Sequence, residues 1–336
     1  LEDCVSAARR LARAAEVRCI VDWGVEESGD ADAWDGNERR KAETLQLAAK
    51  ELGPSAAFAA VKLTALLSPG LLERITVLAA DAVISMPGCA DETTWRQELG
   101  AEDRVQLQAA LERLGRLCSA ARGCGVALLL DAEQSTRQPA VHLIARELQK
   151  KFNVEGAVVV YDTMQMYLRA APARLEAALG AAQAGGYICA VKLVRGAYIE
   201  QELALGTVHA SKADTDAAYN AAATRLLTAV AETRGVNAFS VTAAVMLATH
   251  NRASLEHAVG EMARLSIVRD DRRVHFAQIL GMVDNLTNAL GVAGYNAAKL
   301  VVFGEVRQVL PWLLRRVQEN RDAFGAQAKE LPVLRR

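Results

Sequence analysis

YICAVKLVRGAYIE, residues 187–200, is the stretch on which the fold reading turns. It is a near-continuous apolar run broken by Lys192 and closed by Arg195, Gly196, Ala197 and Tyr198. A strand with one solvated face alternates apolar and polar residues. A strand covered on both faces reads as an unbroken apolar run, as in parallel sheets. A charge inside such a run is costly unless it meets a partner or a polar cavity.

Similar runs recur along the chain: RCIVDWGVE (18–26), AAFAAVKLTAL (56–66), VALLLDAEQ (126–134), AVVVYDTM (157–164), AVMLATHN (244–251), VHFAQIL (274–280) and KLVVFGE (299–305). Amphipathic helical stretches lie between them, among them NERRKAETLQLAAKELG (37–53), QPAVHLIARELQKKFN (138–153) and TDAAYNAAATRLLTAVAETRG (215–235). The last of these closes on Gly235, which suits a helix C-cap. Eight strands alternating with helices over this length predict an α/β protein of the (β/α)8 barrel class. The rival is a doubly wound open sheet. It is disfavoured because no G-x-G-x-x-G follows a strand and no G-x-x-x-x-G-K-[ST] occurs.

The whole of 1–336 reads as one barrel domain. The long interval at about 67–125 reads as an inserted excursion flanked by helices, with SMPGCADETTW (85–95) as its loop. The last segment, EVRQVLPWLLRRVQENRDAFG (305–325), has helical period, and Pro311 inside it should mark a start or a kink.

A formal net charge of -1 gives no global reason to expect nucleic acid or an anionic membrane as partner. Positive charge is local, so the partner should be small. No run of about 18 uninterrupted apolar residues occurs, so no spanning helix is expected. The chain opens without Met and reads as trimmed, so a targeting peptide is not testable from it. Six cysteines are scattered singly at 4, 19, 89, 118, 124 and 189, with no C-x-x-C pair. They read as reduced buried thiols of an intracellular protein, and no metal site is implied.

In a (β/α)8 barrel the active site lies at the C-terminal ends of the strands. Those ends carry Lys62, Asp131 with Glu133, Gln165, Lys192 with Arg195, His250 with Asn251, and Gln278. Arg315 and Arg316, in WLLRRVQEN (312–320), add two planar guanidinium forks suited to carboxylate or phosphate. Each has a plainer reading. Lys62 serves equally as half of a structural ion pair with Asp131 or Glu133. His250 serves as a strand-end cap. The two arginines serve as a solvated helix face. Neighbours on a helix point about 100° apart, so at most one of them faces a given partner squarely. Glu319, three and four residues on, would steady one of them.

The chain resembles the proline dehydrogenase family, FAD enzymes that oxidise proline to pyrroline-5-carboxylate. The resemblance rests on AAVKLTAL, LLLDAEQS, QMYLR, VKLVRGAYIE, ATHN, FAQILGMVDN and WLLRRVQEN, which occur in the family's order over nearly the whole chain. Eukaryotic-type members are the most similar, through the insertion after AAVKLTAL and the wording FAQILGM and RRVQENR. The resemblance implies a distorted barrel with the last helix over the strand ends. It implies that Arg315, Arg316 and Lys62 bind the substrate carboxylate, that Asp131 orients them, and that Tyr198 packs near substrate and flavin. It places Lys192 near flavin N5 and Gln165 and Gln278 beside the ring. Val194, Arg195, Gly196 and Ala197 would line the flavin and its phosphates, with Thr249, His250, Asn251 and Glu319 as further cofactor contacts. Two positions depart from the family: Leu300 and Trp312 stand where tyrosine is usual. A reshaped pocket keeps hydroxyproline open as substrate beside proline. The resemblance also implies electron transfer to a quinone, peripheral membrane association, and a mitochondrial location at the matrix face of the inner membrane.

Two other readings stay open. One is a barrel lyase or aldolase using Lys62 or Lys192 as a Schiff base. The other is a catalytically inactive relative that serves as a binding scaffold.

Overall fold

The computed structural model describes residues 2–25, 29–79, 94–232 and 243–319. Eight parallel strands close into a barrel in sequence order: β1 (Arg18–Trp23), β2 (Ala56–Val61), β3 (Ala127–Leu130), β4 (Val160–Gln165), β5 (Cys189–Val194), β6 (Ala243–Ala248), β7 (Val274–Ile279) and β8 (Ala297–Phe303). Closure is direct, with β1 hydrogen-bonded to β8 from Arg18↔Ala298 to Trp23↔Phe303. The open-sheet rival is thereby excluded, and all eight expected strands are present.

The apolar runs are unbroken because the two faces of each strand meet different apolar environments. Inward residues form a slender core that includes Ile20, Phe58, Leu129, Tyr161 and Met246. Outward residues such as Val21, Leu128, Val191, Leu247 and Phe276 pack under the surrounding helices in two larger clusters. Burial on both sides removes any reason for period-two polarity.

Helices Ala31–Leu52, Gln138–Phe152 and Lys212–Glu232 match the expected amphipathic stretches. Gly235 lies outside the described residues. Asp30 caps the first of these helices by accepting from the Ala33 amide at 2.9 Å. In the interval between β2 and β3, helices Pro69–Leu78, Thr94–Glu98 and Ala101–Cys124 are described. Most of the expected 85–95 loop lies outside the described residues. Helix Ala101–Cys124 packs against helix Ala31–Leu52, tied by Arg113 to Asp35 and by Arg116 to Glu38 at 3.1 Å. It therefore takes the ordinary crossover place on the barrel wall. The last helix runs Val306–Glu319, so Pro311 does not start it. Pro311 falls in the second turn, where its missing N–H leaves one carbonyl of the preceding turn without its helical donor.

Among the described residues no helix is long and apolar enough to cross a membrane. Cys4, Cys19, Cys118, Cys124 and Cys189 are free thiols, and Cys89 lies outside the described residues.

Candidate active site

A cavity of about 550 Å³ opens at the C-terminal ends of the strands. Small side chains make the room: β2, β6 and β7 present Ala60, Ala248 and Ala277 at the mouth. Leu129, Met246 and Leu300 add apolar wall, and polar groups stand around it.

Lys62 and Asp131 follow the last residues of β2 and β3, where inward strand side chains reach the cavity. Lys192, inward on β5, donates to Asp131 Oδ1 at 2.5 Å, and both side chains are mostly buried. Burial alone would raise the Asp131 carboxyl. Lys192, Lys62 and Arg316 outweigh it and hold that carboxyl below its ordinary value. Lys192 thus makes an ion pair with Asp131 at hydrogen-bonding distance. Lys62 still acts electrostatically on Asp131, Asp22, Glu133 and Tyr198.

Tyr198 donates its hydroxyl to the Ala132 carbonyl at 3.1 Å, and burial raises its phenol. It lines the cavity with Val194, Arg195, Gly196 and Ala197. Arg195 is held by three acceptors: Asp216 at 2.7 Å, Thr249 Oγ1 at 2.7 Å and Ser254 Oγ at 2.8 Å. Its guanidinium also lies 4.5 Å from the Tyr219 ring centroid. Gly196 is glycine for a steric reason: a Cβ there would fall 1.5 Å from Tyr167 Cε1.

Thr249 Oγ1 also accepts from the Asn251 amide at 3.1 Å, and Asn251 caps helix Arg252–Arg264 through the Ser254 amide at 3.1 Å. His250 Nε2 accepts from the Ile279 amide at 3.2 Å. Burial pushes the imidazole down to about 4, so near neutral pH it is uncharged and carries its proton on Nδ1. His250 therefore caps the end of β7 while also lining the cavity.

The two glutamines differ from the expected pattern. Gln165 is buried at the end of β4, its Nε2 donating to Glu133 O at 2.8 Å and its Oε1 accepting from Ala197 N at 3.1 Å. Its amide pins the turn after β5 to the turn after β3 and is not in the cavity lining. Gln278 touches the cavity, but its amide is engaged by Thr287 Oγ1 at 2.8 Å and Thr249 O at 3.2 Å. Strand parity explains it: Gln278 shares the outward face of β7 with Phe276.

Arg316 reaches the cavity from the last helix. Trp312, Arg315 and Glu319 lie on the same helix, with side chains outside the described residues.

Several charged residues here were absent from the sequence expectation: Asp22, Lys212 and Arg252 in the cavity lining, and Lys41 behind it. Asp22 is inward on β1, 7% exposed, and lines the cavity. Lys41, on helix Ala31–Leu52, is buried with its ammonium 5.7 Å from the Trp23 ring. A charge near the end of the apolar run RCIVDW is the signal that pointed to Lys62 and Lys192, and it applies equally to Asp22. Lys41 carries no such signal, because lysine is ordinary in an amphipathic helix.

The cavity combines several cations with an apolar wall. Lys62, Lys192 and Arg316 suit a small carboxylate, and Arg195, Lys212 and Arg252 suit a phosphate-bearing group. A closed (β/α)8 barrel with this mouth belongs to the class of small-acid or nucleotide-cofactor enzymes. The proline dehydrogenase family model matches residues 5–328, and the chain belongs to that family. It is 32% identical over 364 residues to the mitochondrial proline dehydrogenase 1 of Arabidopsis thaliana, covering 99% of this chain and 71% of that protein. It is 36% identical over 245 residues to the hydroxyproline dehydrogenase of Homo sapiens, covering 70% of this chain and 52% of that one. Proline utilization A from Bdellovibrio bacteriovorus shares the fold with a TM-score of 0.73 at 20% identity, over 95% of this chain and 31% of that one.

Proposed function

We propose that this chain oxidises L-proline to 1-pyrroline-5-carboxylate with FAD and passes the electrons to a quinone, in a mitochondrial setting. The carrying observation is one cavity that joins Lys62, Lys192, Asp131 and Arg316 to an apolar wall containing Leu300. FAD, when bound, would supply a ring nitrogen that accepts hydride. The donor set suits it, with Val194–Ala197 and the Arg195 and Arg252 charges in one cavity with the apolar Leu129, Met246 and Leu300. Lys62, Arg316 and its neighbour Arg315 would hold the substrate carboxylate and so aim the ring carbon next to nitrogen. Asp131 would fix Lys192, and Tyr198 would close the cavity beside them. Membrane contact and a matrix-face location belong to this same reading.

Hydroxyproline is the second substrate reading. It is favoured by Leu300, which is partly buried against the barrel core and lines the cavity, and by relatives named hydroxyproline dehydrogenase. The Schiff-base reading is less favoured, because the Lys192 ammonium is engaged by Asp131 rather than free to attack a carbonyl.

The test is a visible spectrum of the purified protein, followed by anaerobic addition of proline and then trans-4-hydroxyproline. Bleaching of a flavin spectrum by proline is the expected result. Bleaching by hydroxyproline alone would transfer the activity to that substrate. A colourless protein that cannot be loaded with FAD, yet is trapped by borohydride with a carbonyl compound, would overturn the reading in favour of the lyase.

A further inference from the structure

Two carboxylates face the same cavity and are held in opposite ways. Asp131 is clamped by Lys192 at 2.5 Å and is kept ionised. Asp22 lines the same cavity from β1, is 7% exposed, and accepts no hydrogen bond among the described residues. A buried carboxylate with no fixed donor is costly, and fold stability alone does not account for it.

We propose that Asp22 is the proton acceptor of this site, taking the proton from the substrate ammonium before hydride leaves the adjacent ring carbon. This rests on the amino-acid dehydrogenase reading above. In the proton step the N–H bond breaks and the O–H bond forms on Asp22, leaving the nitrogen lone pair free. In the oxidation that follows, the C–H bond would break with both electrons leaving as hydride, for which bound FAD would be the acceptor, while the lone pair forms the C=N bond. Charge and electrons balance without a further reactant.

The surroundings suit that role. Lys62 from the end of β2, Asp131 from the end of β3, Lys192 from β5 and Lys41 from helix Ala31–Leu52 all act on Asp22. On β8, its partner in register is the apolar Val302. Burial and Asp131 push the Asp22 carboxyl up and the three lysines pull it down, leaving it at about 6. A carboxylate poised there is ionised at neutral pH and ready to accept a proton. The same lysines, with Arg316, lower the pKa of a substrate ammonium bound among them, which narrows the gap the proton must cross. Two neighbouring carboxylates with separated titrations divide the work: Asp131 organises the cations and Asp22 moves the proton.

Asp22→Asn keeps the shape and removes the acceptor. The rate of flavin reduction at pH 7 should fall about 10²- to 10⁴-fold. In the variant the rate should keep rising with pH toward the pKa of the free amine, at about 10, instead of levelling above about 6. A second readout needs no cofactor: infrared difference spectra of flavin-free protein should show a buried carboxyl titrating near 6 that is missing from D22N. An unshifted pH limb in D22N would overturn the proposal. If the variant cannot be loaded with flavin, the infrared titration decides, and absence of that band in the wild type overturns the proposal. Wild-type protein that neither proline nor hydroxyproline reduces at any pH would sink the dehydrogenase reading instead, while the infrared result would still report whether Asp22 is a poised carboxylate.

Discussion

The two ends of the barrel are built from the same strands and differ in almost every other respect. At the C-terminal mouth, Asp22, Lys62, Asp131, Lys192 and Arg316 surround open space. At the N-terminal floor the space is filled. Phe58 meets Tyr161 edge-on at 5.7 Å and His275 edge-on at 4.8 Å. His275 Nε2 bonds the Arg272 carbonyl at 2.9 Å, and Arg18 donates to Asn296 at 2.5 Å. The floor spends its polar groups on each other and keeps the barrel closed. The mouth leaves charge facing a cavity, which lowers stability in exchange for binding capacity.

One group at each end responds to pH with opposite sign, His275 at the floor and Asp22 at the mouth. Burial pushes His275 from 6.5 down to about 4, so between those values the unfolded chain binds more protons and stability falls as pH falls. Asp22 is pushed from 3.8 up to about 6, so between those values the folded chain binds more protons and stability falls as pH rises. Each displacement corresponds to about 3 kcal/mol. His275 therefore weakens the floor in acid, as His250, also pushed down to about 4 by burial, does at the mouth, while Asp22 gives the mouth a penalty near neutrality.

Phe58→Ala should break the floor most severely. It removes the ring that both Tyr161 and His275 pack against and should cost about 3–5 kcal/mol. Urea unfolding should show the loss, while the rate per folded molecule stays near wild type. A large rate defect in protein that remains folded would mean that the two ends are coupled.

Lys192→Met should damage the mouth. It leaves Asp131 buried without its 2.5 Å partner, at a cost of about 3 kcal/mol. Anaerobic reduction should slow at least about 10²-fold, more than the stability loss explains, because the carboxylate no longer organises the cations. Unchanged reduction kinetics would remove the Lys192–Asp131 pair from the working site.

His275→Phe sharpens the pH contrast. Unfolding free energy, measured with urea from pH 7 down to pH 4.5, should fall less steeply than in wild type, by up to about 1.4 kcal/mol per pH unit. Equal slopes would show that His275 is not the neutral group responsible.

The smallest effect belongs to the outer surface, remote from both ends. Arg225→Ala breaks the partly exposed pair with Glu176 at 3.0 Å and should change stability by less than about 0.5 kcal/mol. A greater loss would mean that the helix layer contributes more than its exposed pairs account for.

The barrel was legible before the structure because periodicity is a local property. Eight unbroken apolar runs such as VALLLDAEQ, separated by helix-period segments, need strands covered on both faces, and the cations at their ends mark the open rim. Lys62, Asp131, Lys192, Arg195 and His250 were readable for that reason, and all five stand at the cavity. What each side chain does there was settled only by tertiary packing. Gln165 ends a strand as Lys192 nearly does, yet its amide is consumed by backbone from two neighbouring turns. Gln278 stands on the outward parity of β7. Asp131 pairs with Lys192 across residues 61 apart in the chain, and Lys41 comes to Asp22 from a helix outside the barrel. Such partnerships depend on barrel closure and strand register, which join segments remote in sequence. The chain by itself therefore determined the fold and the rim on which the chemistry stands. Only the closed structure decided which charges are clamped, which are spent on backbone, and which face the cavity.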